Sequence, residues 1–245
     1  MEKRFTPTDD LTSVIIPLMR ATYTDDSKKV IQITNLYGTA FLIGKQGFAL
    51  TAGHVIDQLL EGLDPEKDAI ITHIHNKHGL FPFGISRFER HPKQDIGIIK
   101  LNYDIFDSWL QIDPVKQYAG MDYHGWGYPI ETANEKGKLV EGHPPSPSMI
   151  FTKGYIRRTI NREIYPTMIY FGNAYYEVSE LGGGGYSGAP IININSIRAP
   201  KWKVMGVYVG EKSDAPAVGY VIRSDSFYDW IPEILGCSVL DESLK

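Results

Sequence analysis

The sequence predicts an all-β protein, and three observations carry that expectation. Short apolar runs bounded by turn residues recur from Val30 onward, in the alternating or near-continuous form that strands show. Glycine and proline number 24 and 15 in 245 residues, which suits a fold with many tight connections. Helical periodicity is confined to the two ends of the chain.

Taken in order, Thr8-Asp9-Asp10 offers a helix cap, and Leu11, Val14, Ile15, Leu18 and Met19 follow at i, i+3, i+4 spacing. A short amphipathic N-terminal helix is expected, within a strap spanning 1–29. Strand patterns then fall at 30–34, 38–44, 47–52, 69–76, 83–90 and 96–101, a first group of six within 30–118. The segment 102–120 reads as a linker. A second group of six follows at 121–127, 149–158, 167–178, 189–194, 203–209 and 217–222, within 119–245. Residues 131–148, with Gly137, Gly142, Pro144, Pro145 and Pro147, read as a loop. Ser224 is placed to cap a C-terminal helix whose Phe227, Trp230, Ile231, Ile234 and Leu235 share one face, with Gly236 as its stop.

Composition narrows the partners and the compartment. A net charge of −4 gives no reason to expect nucleic acid or an anionic membrane surface. No apolar run approaches the length of a membrane span, and MEKRFTPTDDLTSVIIPLMR lacks the continuous apolar core of a secretion signal. Cys237 stands alone, so no internal disulfide can form, which points to a reducing compartment or a bacterial source. A cytoplasmic protein is expected. His73, His75 and His78 in THIHNKH suggest a metal site only superficially, because no Cys pair or HExxH helix accompanies them, and no metal is expected. The basic run Lys153 to Arg162 alternates with β-formers and reads as a solvated strand face.

The chemistry concentrates in LGGGGYSGAPII, Leu181 to Ile192. A serine hydroxyl is a poor nucleophile at neutral pH and needs a base beside it, together with N–H donors aimed where negative charge develops. Glycines let the backbone curl until two amides converge, and Gly185 and Ser187 would supply that pair. A histidine sits where the apolar run Phe48-Ala49-Leu50 ends in the small-residue turn Thr51-Ala52-Gly53-His54. Asp95 directly precedes the apolar run Ile96 to Ile99, and a carboxylate there can orient an imidazole.

Three segments, TAGH at 51–54, DIGI at 95–98 and GYSGAP at 185–190, resemble the trypsin-like, or chymotrypsin-fold, serine protease family. They stand in that family's order of His, Asp and Ser. Gly125-Trp126-Gly127-Tyr128-Pro129 is similar to its opening strand of the second barrel, and the resemblance covers roughly Val30 to Ile234. The pattern is nearest to disulfide-free bacterial members, including the glutamyl-endopeptidase-like group, where a G-[IV]-x-x-G strand follows the serine as Gly206 to Gly210 does here.

The resemblance implies two six-stranded antiparallel β-barrels with the active site between them. It implies a serine endopeptidase acting on protein or peptide substrates without a cofactor. Ser187 is then the nucleophile, His54 the general base and acid, Asp95 the orienting carboxylate, and the amides of Gly185 and Ser187 the oxyanion hole. A silent binding module on the same fold, or an esterase with the same triad, remains open. Tyr186 replaces the acid that zymogen-type relatives carry before the serine, so a loosely braced oxyanion loop, ordered by substrate or a regulatory partner, is expected. The resemblance also places Leu181, Tyr208, Gly210 and Gly219 around the primary substrate pocket, with a preference for a medium or large apolar residue.

Overall fold

The computed structural model describes residues 11–25, 31–76, 79–104, 106–134, 147–164, 171–212 and 217–245. Six strands form a first closed barrel: β1 (Ile15–Tyr23), β2 (Ile31–Ile43), β3 (Phe48–Ala52), β4 (Asp68–Asn76), β5 (Gly79–Arg90) and β6 (Ile96–Leu101). They close in the order β1-β2-β3-β6-β5-β4, every pairing antiparallel. A helix, α1 (Gly53–Leu60), leads out of β3.

The first strand corrects the expected N-terminal helix. Residues Leu11–Ser13 make only a single 3₁₀ turn, and Ile15–Tyr23 is a barrel strand hydrogen-bonded to both β2 and β4. The run from Val14 to Met19 is buried throughout, apart from Pro17 wholly apolar, and a nearly continuous apolar run satisfies helical spacing by accident. Pro17 cannot donate an amide inside a helix, but a strand accommodates it near a register shift, which falls between Leu18 and Met19. The barrel still has six strands because the two patterns at 30–34 and 38–44 are one continuous β2.

The second barrel contains β8 (Asp122–Gly127), β9 (Ile150–Ile160), β10 (Tyr175–Val178), β11 (Pro190–Asn193), β12 (Trp202–Lys212) and β13 (Val218–Arg223), preceded by the short β7 (Leu110–Ile112). The order is β11-β8-β9-β10-β13-β12, closed by a β11–β12 pairing, while β7 lies parallel to β12 on its far edge. The short helix α2 (Ile130–Asn134) follows β8. The remainder of the predicted 131–148 loop lies largely outside the described residues, as does part of the predicted strand at 167–178.

A C-terminal helix is present, but as α3 (Val239–Leu244), capped by the Ser238 side chain on the Asp241 amide at 3.0 Å. The stretch after Ser224 makes one 3₁₀ turn and further turns instead. Pro232 lacks the amide a helix would need, and Ile231 before it is 63% exposed.

One buried cluster spans both barrels, and a second lies within the second barrel. Leu50 and Ile98 of the first barrel belong to the same buried cluster as Val207 and Ile222 of the second. Truncating a large aliphatic there costs about 2–5 kcal/mol, so the relative placement of the barrels is fixed by packing. Among the described residues, no helix is long and apolar enough to cross a membrane.

Candidate active site

β3 and β6 are neighbours, with Ala52 paired directly to Ile96. That register brings the residue just after one strand against the residue just before the other, and the Gly53 amide donates to the Asp95 carbonyl at 3.1 Å. His54, in the first turn of α1, and Asp95 are thereby adjacent despite a separation of 41 positions in sequence. The Asp95 side chain is fully buried and both its oxygens are used. Oδ2 faces His54 Nδ1 at 2.6 Å, while Oδ1 accepts the His54 amide at 2.7 Å and Arg90 Nη2 at 3.4 Å. A carboxylate on Nδ1 selects the Nδ1–H tautomer and leaves Nε2 as the basic nitrogen.

Two further residues support this couple, and the first of them, Arg90, carried no signal in the sequence. Arg90, at the end of β5, bridges Asp95 to Asp57 on α1, so the acid is tied to the helix that carries the histidine. His91 Nδ1 accepts the amides of Lys93 and Gln94, each at 3.0 Å, and so shapes the turn that presents Asp95. Burial lowers the His91 pKa to about 4 against the opposing pull of Asp229, which keeps the ring neutral as an acceptor. Gln94 then reaches the second barrel, donating to Asn173 Oδ1 at 2.9 Å and accepting its amide at 3.2 Å.

The serine turn comes from the second barrel and docks onto β2. Thr39 donates its amide to the Ser187 carbonyl at 2.8 Å and its hydroxyl to the Gly185 carbonyl at 3.0 Å. Gly188 has φ +94°, and a Cβ there would overlap the Thr39 carbonyl, so this approach requires glycine. A Cβ on Gly38 would lie 2.7 Å from Val55 and 2.9 Å from the Ser187 carbonyl, which places the serine turn beside the residue following His54. The Ser187 hydroxyl donates to the Val209 carbonyl at 3.3 Å in this state.

Gly185 has φ +84°. The Gly184 carbonyl accepts the Ile130 amide at 2.7 Å, and in a trans peptide the Gly185 N–H therefore points the opposite way. Among the described residues neither the Gly185 nor the Ser187 amide has an acceptor, as a pair of oxyanion donors requires.

The loop is not loosely braced as expected. Besides the Ile130 and Thr39 contacts, Gly182 donates to Tyr208 Oη at 3.0 Å and Gly183 to Glu211 Oε2 at 3.0 Å. Tyr186 is 1% exposed, shares a 2.7 Å hydrogen bond with Thr152 and meets Tyr208 edge-on at 5.2 Å. The side chain that stands where zymogen-type relatives carry an acid is thus an internal wedge, its slot opened by the missing side chains of Gly125 and Gly127.

Of the predicted pocket residues, Tyr208 and Gly219 lie against each other, with the ring filling the space between them. Tyr208 is 2% exposed, and a Cβ on Gly219 would come within 2.8 Å of its ring. Burial pushes the phenol pKa up, so it stays protonated and donates to Glu211 Oε2 at 2.8 Å. Leu181 is half-buried and Gly210 is buried. An open cleft of about 670 Å³ lies instead beside His54, between α1, the end of β5 and Phe171.

The other histidines lie elsewhere. His73 is buried against Tyr128 with ring centroids 6.4 Å apart, and burial, with help from His75, lowers its pKa to about 4. His75 is exposed, and His78 lies outside the described residues. His124 packs against Trp126 and Phe151 on the second barrel.

Two closed antiparallel barrels, one presenting an Asp–His couple and the other a serine turn docked beside it, define the double-barrel class of serine hydrolase folds. The trypsin family profile matches residues 20–231, and the chain belongs to the trypsin-like serine protease family. Solved structures agree in fold. The apo MamO protease domain from Magnetospirillum magneticum is 10% identical, with a TM-score of 0.57 over 89% of this chain and 95% of that one. The active form of the Rv3671c protease from M. tuberculosis is 18% identical, with a TM-score of 0.55 over 91% and 86%. Deg5 is 16% identical, with a TM-score of 0.56 over 88% and 86%. No curated protein matches the chain significantly by sequence.

Proposed function

We propose that the chain is a serine endopeptidase that works through Ser187, His54 and Asp95 with an acyl-enzyme intermediate. The observation that carries this reading is the buried 2.6 Å contact between Asp95 Oδ2 and His54 Nδ1 in a fold that docks a serine turn alongside. The Ser187 proton passes to His54 Nε2 as Oγ attacks the peptide carbonyl, and the oxyanion is received by the Gly185 and Ser187 amides. The imidazolium then protonates the leaving amine, and water repeats the sequence to release the acid. This chemistry needs neither metal nor organic cofactor. The lone Cys237 supports a reducing compartment, and we place the activity in a bacterial cytoplasm.

A Tyr208 ring that fills the space beside Gly219 favours a small side chain before the cleaved bond, where the sequence suggests a medium or large apolar one. A bulkier residue would have to displace a buried ring whose hydroxyl holds Gly182 and Glu211. Side-by-side assays of peptide and ester substrates, with Ser187→Ala as control, test the reaction class. Peptide hydrolysis that disappears in the variant is expected. Ester hydrolysis alone would mark an esterase, and a folded protein inert to both would mark a binding module.

A further inference from the structure

A bulge in β9 sets two arginines over one buried carboxylate on the second barrel. Arg158 pairs with Glu177 of β10, but Val178 pairs with Ile156, so Arg157 is the extra residue. A bulge breaks the alternation of a strand and re-aims neighbouring side chains. Arg157 and Arg158 are accordingly both exposed, whereas Glu177 is 6% exposed. Arg158 gives Nε and Nη2 to Glu177 Oε2 at 2.8 and 2.6 Å, and Arg157 Nε approaches Oε1 at 3.7 Å. Lys212, at the end of β12, lines the same cleft of about 450 Å³, with Val218 and Tyr220 of β13 completing it. Three cations therefore face one carboxylate, and among the described residues Lys212 has no ion-pair partner. Glu177 fixes the Arg158 guanidinium and only partly offsets Arg157, so the cleft keeps an excess of positive charge.

Arg158, Glu177, Tyr220 and Gly210 are paired in one row across four strands, and Gly210 is a predicted wall of the substrate site. Lys212, two residues along β12 from Gly210, lies about 7 Å from it, and Arg158, three strand spacings across, about 14 Å, a reach of roughly two to four residues of extended chain. We propose that this cleft binds an acidic segment of the peptide substrate, glutamate or aspartate side chains roughly two to four residues from the one seated at the pocket. The identity of the occupant as substrate rests on the peptidase reading above. Because the cations are largely exposed, the attraction acts over about 10 Å and weakens with salt.

The test is fluorescence anisotropy of a labelled glutamate-rich peptide and its glutamine twin on the full chain carrying Ser187→Ala. Turnover plays no part in that titration, so an inactive wild type would sink the peptidase reading and leave the binding result legible. The glutamate peptide is expected to bind about tenfold more tightly at low salt, with the preference lost at high salt and in Arg157→Ala or Lys212→Ala. Arg158 is left intact because it neutralises buried Glu177. Lys212→Ala, at an exposed strand end, serves as the reading if the Arg157 variant fails to fold. Equal binding of the twin, a preference unchanged in both variants, or displacement of the peptide by an equal concentration of inorganic phosphate would each overturn the proposal.

Discussion

The two barrels contribute to the site by different physics. The first presents charge held in place by charge: a fully buried Asp95 carboxylate bonded to a histidine, a backbone amide and an arginine that is itself paired to Asp57. The second presents backbone held in place mostly by hydroxyl groups and packing: a glycine turn clamped by Thr39 from β2, by the Tyr186 and Tyr208 wedges beneath it, and by Glu211 on the Gly183 amide. A misplaced charge is costly in a buried setting, so the first half tolerates little change. The second half can be re-shaped through the tyrosines, and that is where selectivity among substrates should lie.

The largest effect should come from removing the couple across the barrels. Ser187→Ala and His54→Ala should each lower turnover by on the order of 10⁴-fold or more, with the double variant scarcely worse, because the two act as a unit. Losses that multiply, measured as kcat/KM on one peptide, would mean the residues act independently. Within the first barrel, Asp95→Asn should keep the fold but reduce kcat by up to roughly 10⁴-fold, since the amide favours the wrong imidazole tautomer. A variant of near-normal kcat would show that another carboxylate orients His54.

The second barrel should respond in selectivity more than in rate. Tyr208→Val should open the pocket and shift preference toward larger residues by about tenfold or more, at some cost in Tm, while Tyr208→Phe, which keeps the ring, should retain the small-residue preference. Cleavage profiling in which wild type already favours Leu or Phe would show that the ring does not define the pocket.

The smallest effect concerns stability in acid. The folded His73 pKa of about 4 lies below the unfolded reference of 6.5, so the unfolded chain binds more protons between those values. Stability should therefore fall as pH drops from about 6.5 toward 4, by up to about 3 kcal/mol from this residue. His73→Phe should flatten the decline in Tm over that range, and an unchanged slope would assign the effect to other groups.

What the sequence revealed and what it hid follow the same division. His54, Asp95 and Ser187 were legible because each lies in a short contiguous signal, a turn after or before an apolar strand, and strands such as Ile96–Leu101 matched their pattern. The N-terminal strand was hidden by a nearly continuous apolar run that mimics helical spacing, and the expected helix after Ser224 by periodicity that Pro232 interrupts. Arg90, Tyr186, Tyr208 and Glu211 were not legible in these roles, because each depends on partners brought near only by barrel closure. The bulge at Arg157 was equally invisible, since alternation along β9 read it as an ordinary solvated face.

Labelling with a fluorophosphonate probe tests whether Ser187 is a nucleophile activated by the His54–Asp95 couple. One adduct per chain is expected, located on Ser187 by peptide mass mapping and nearly abolished by His54→Ala. A folded protein that takes up no probe, or that is labelled as fast without His54, would contradict that role.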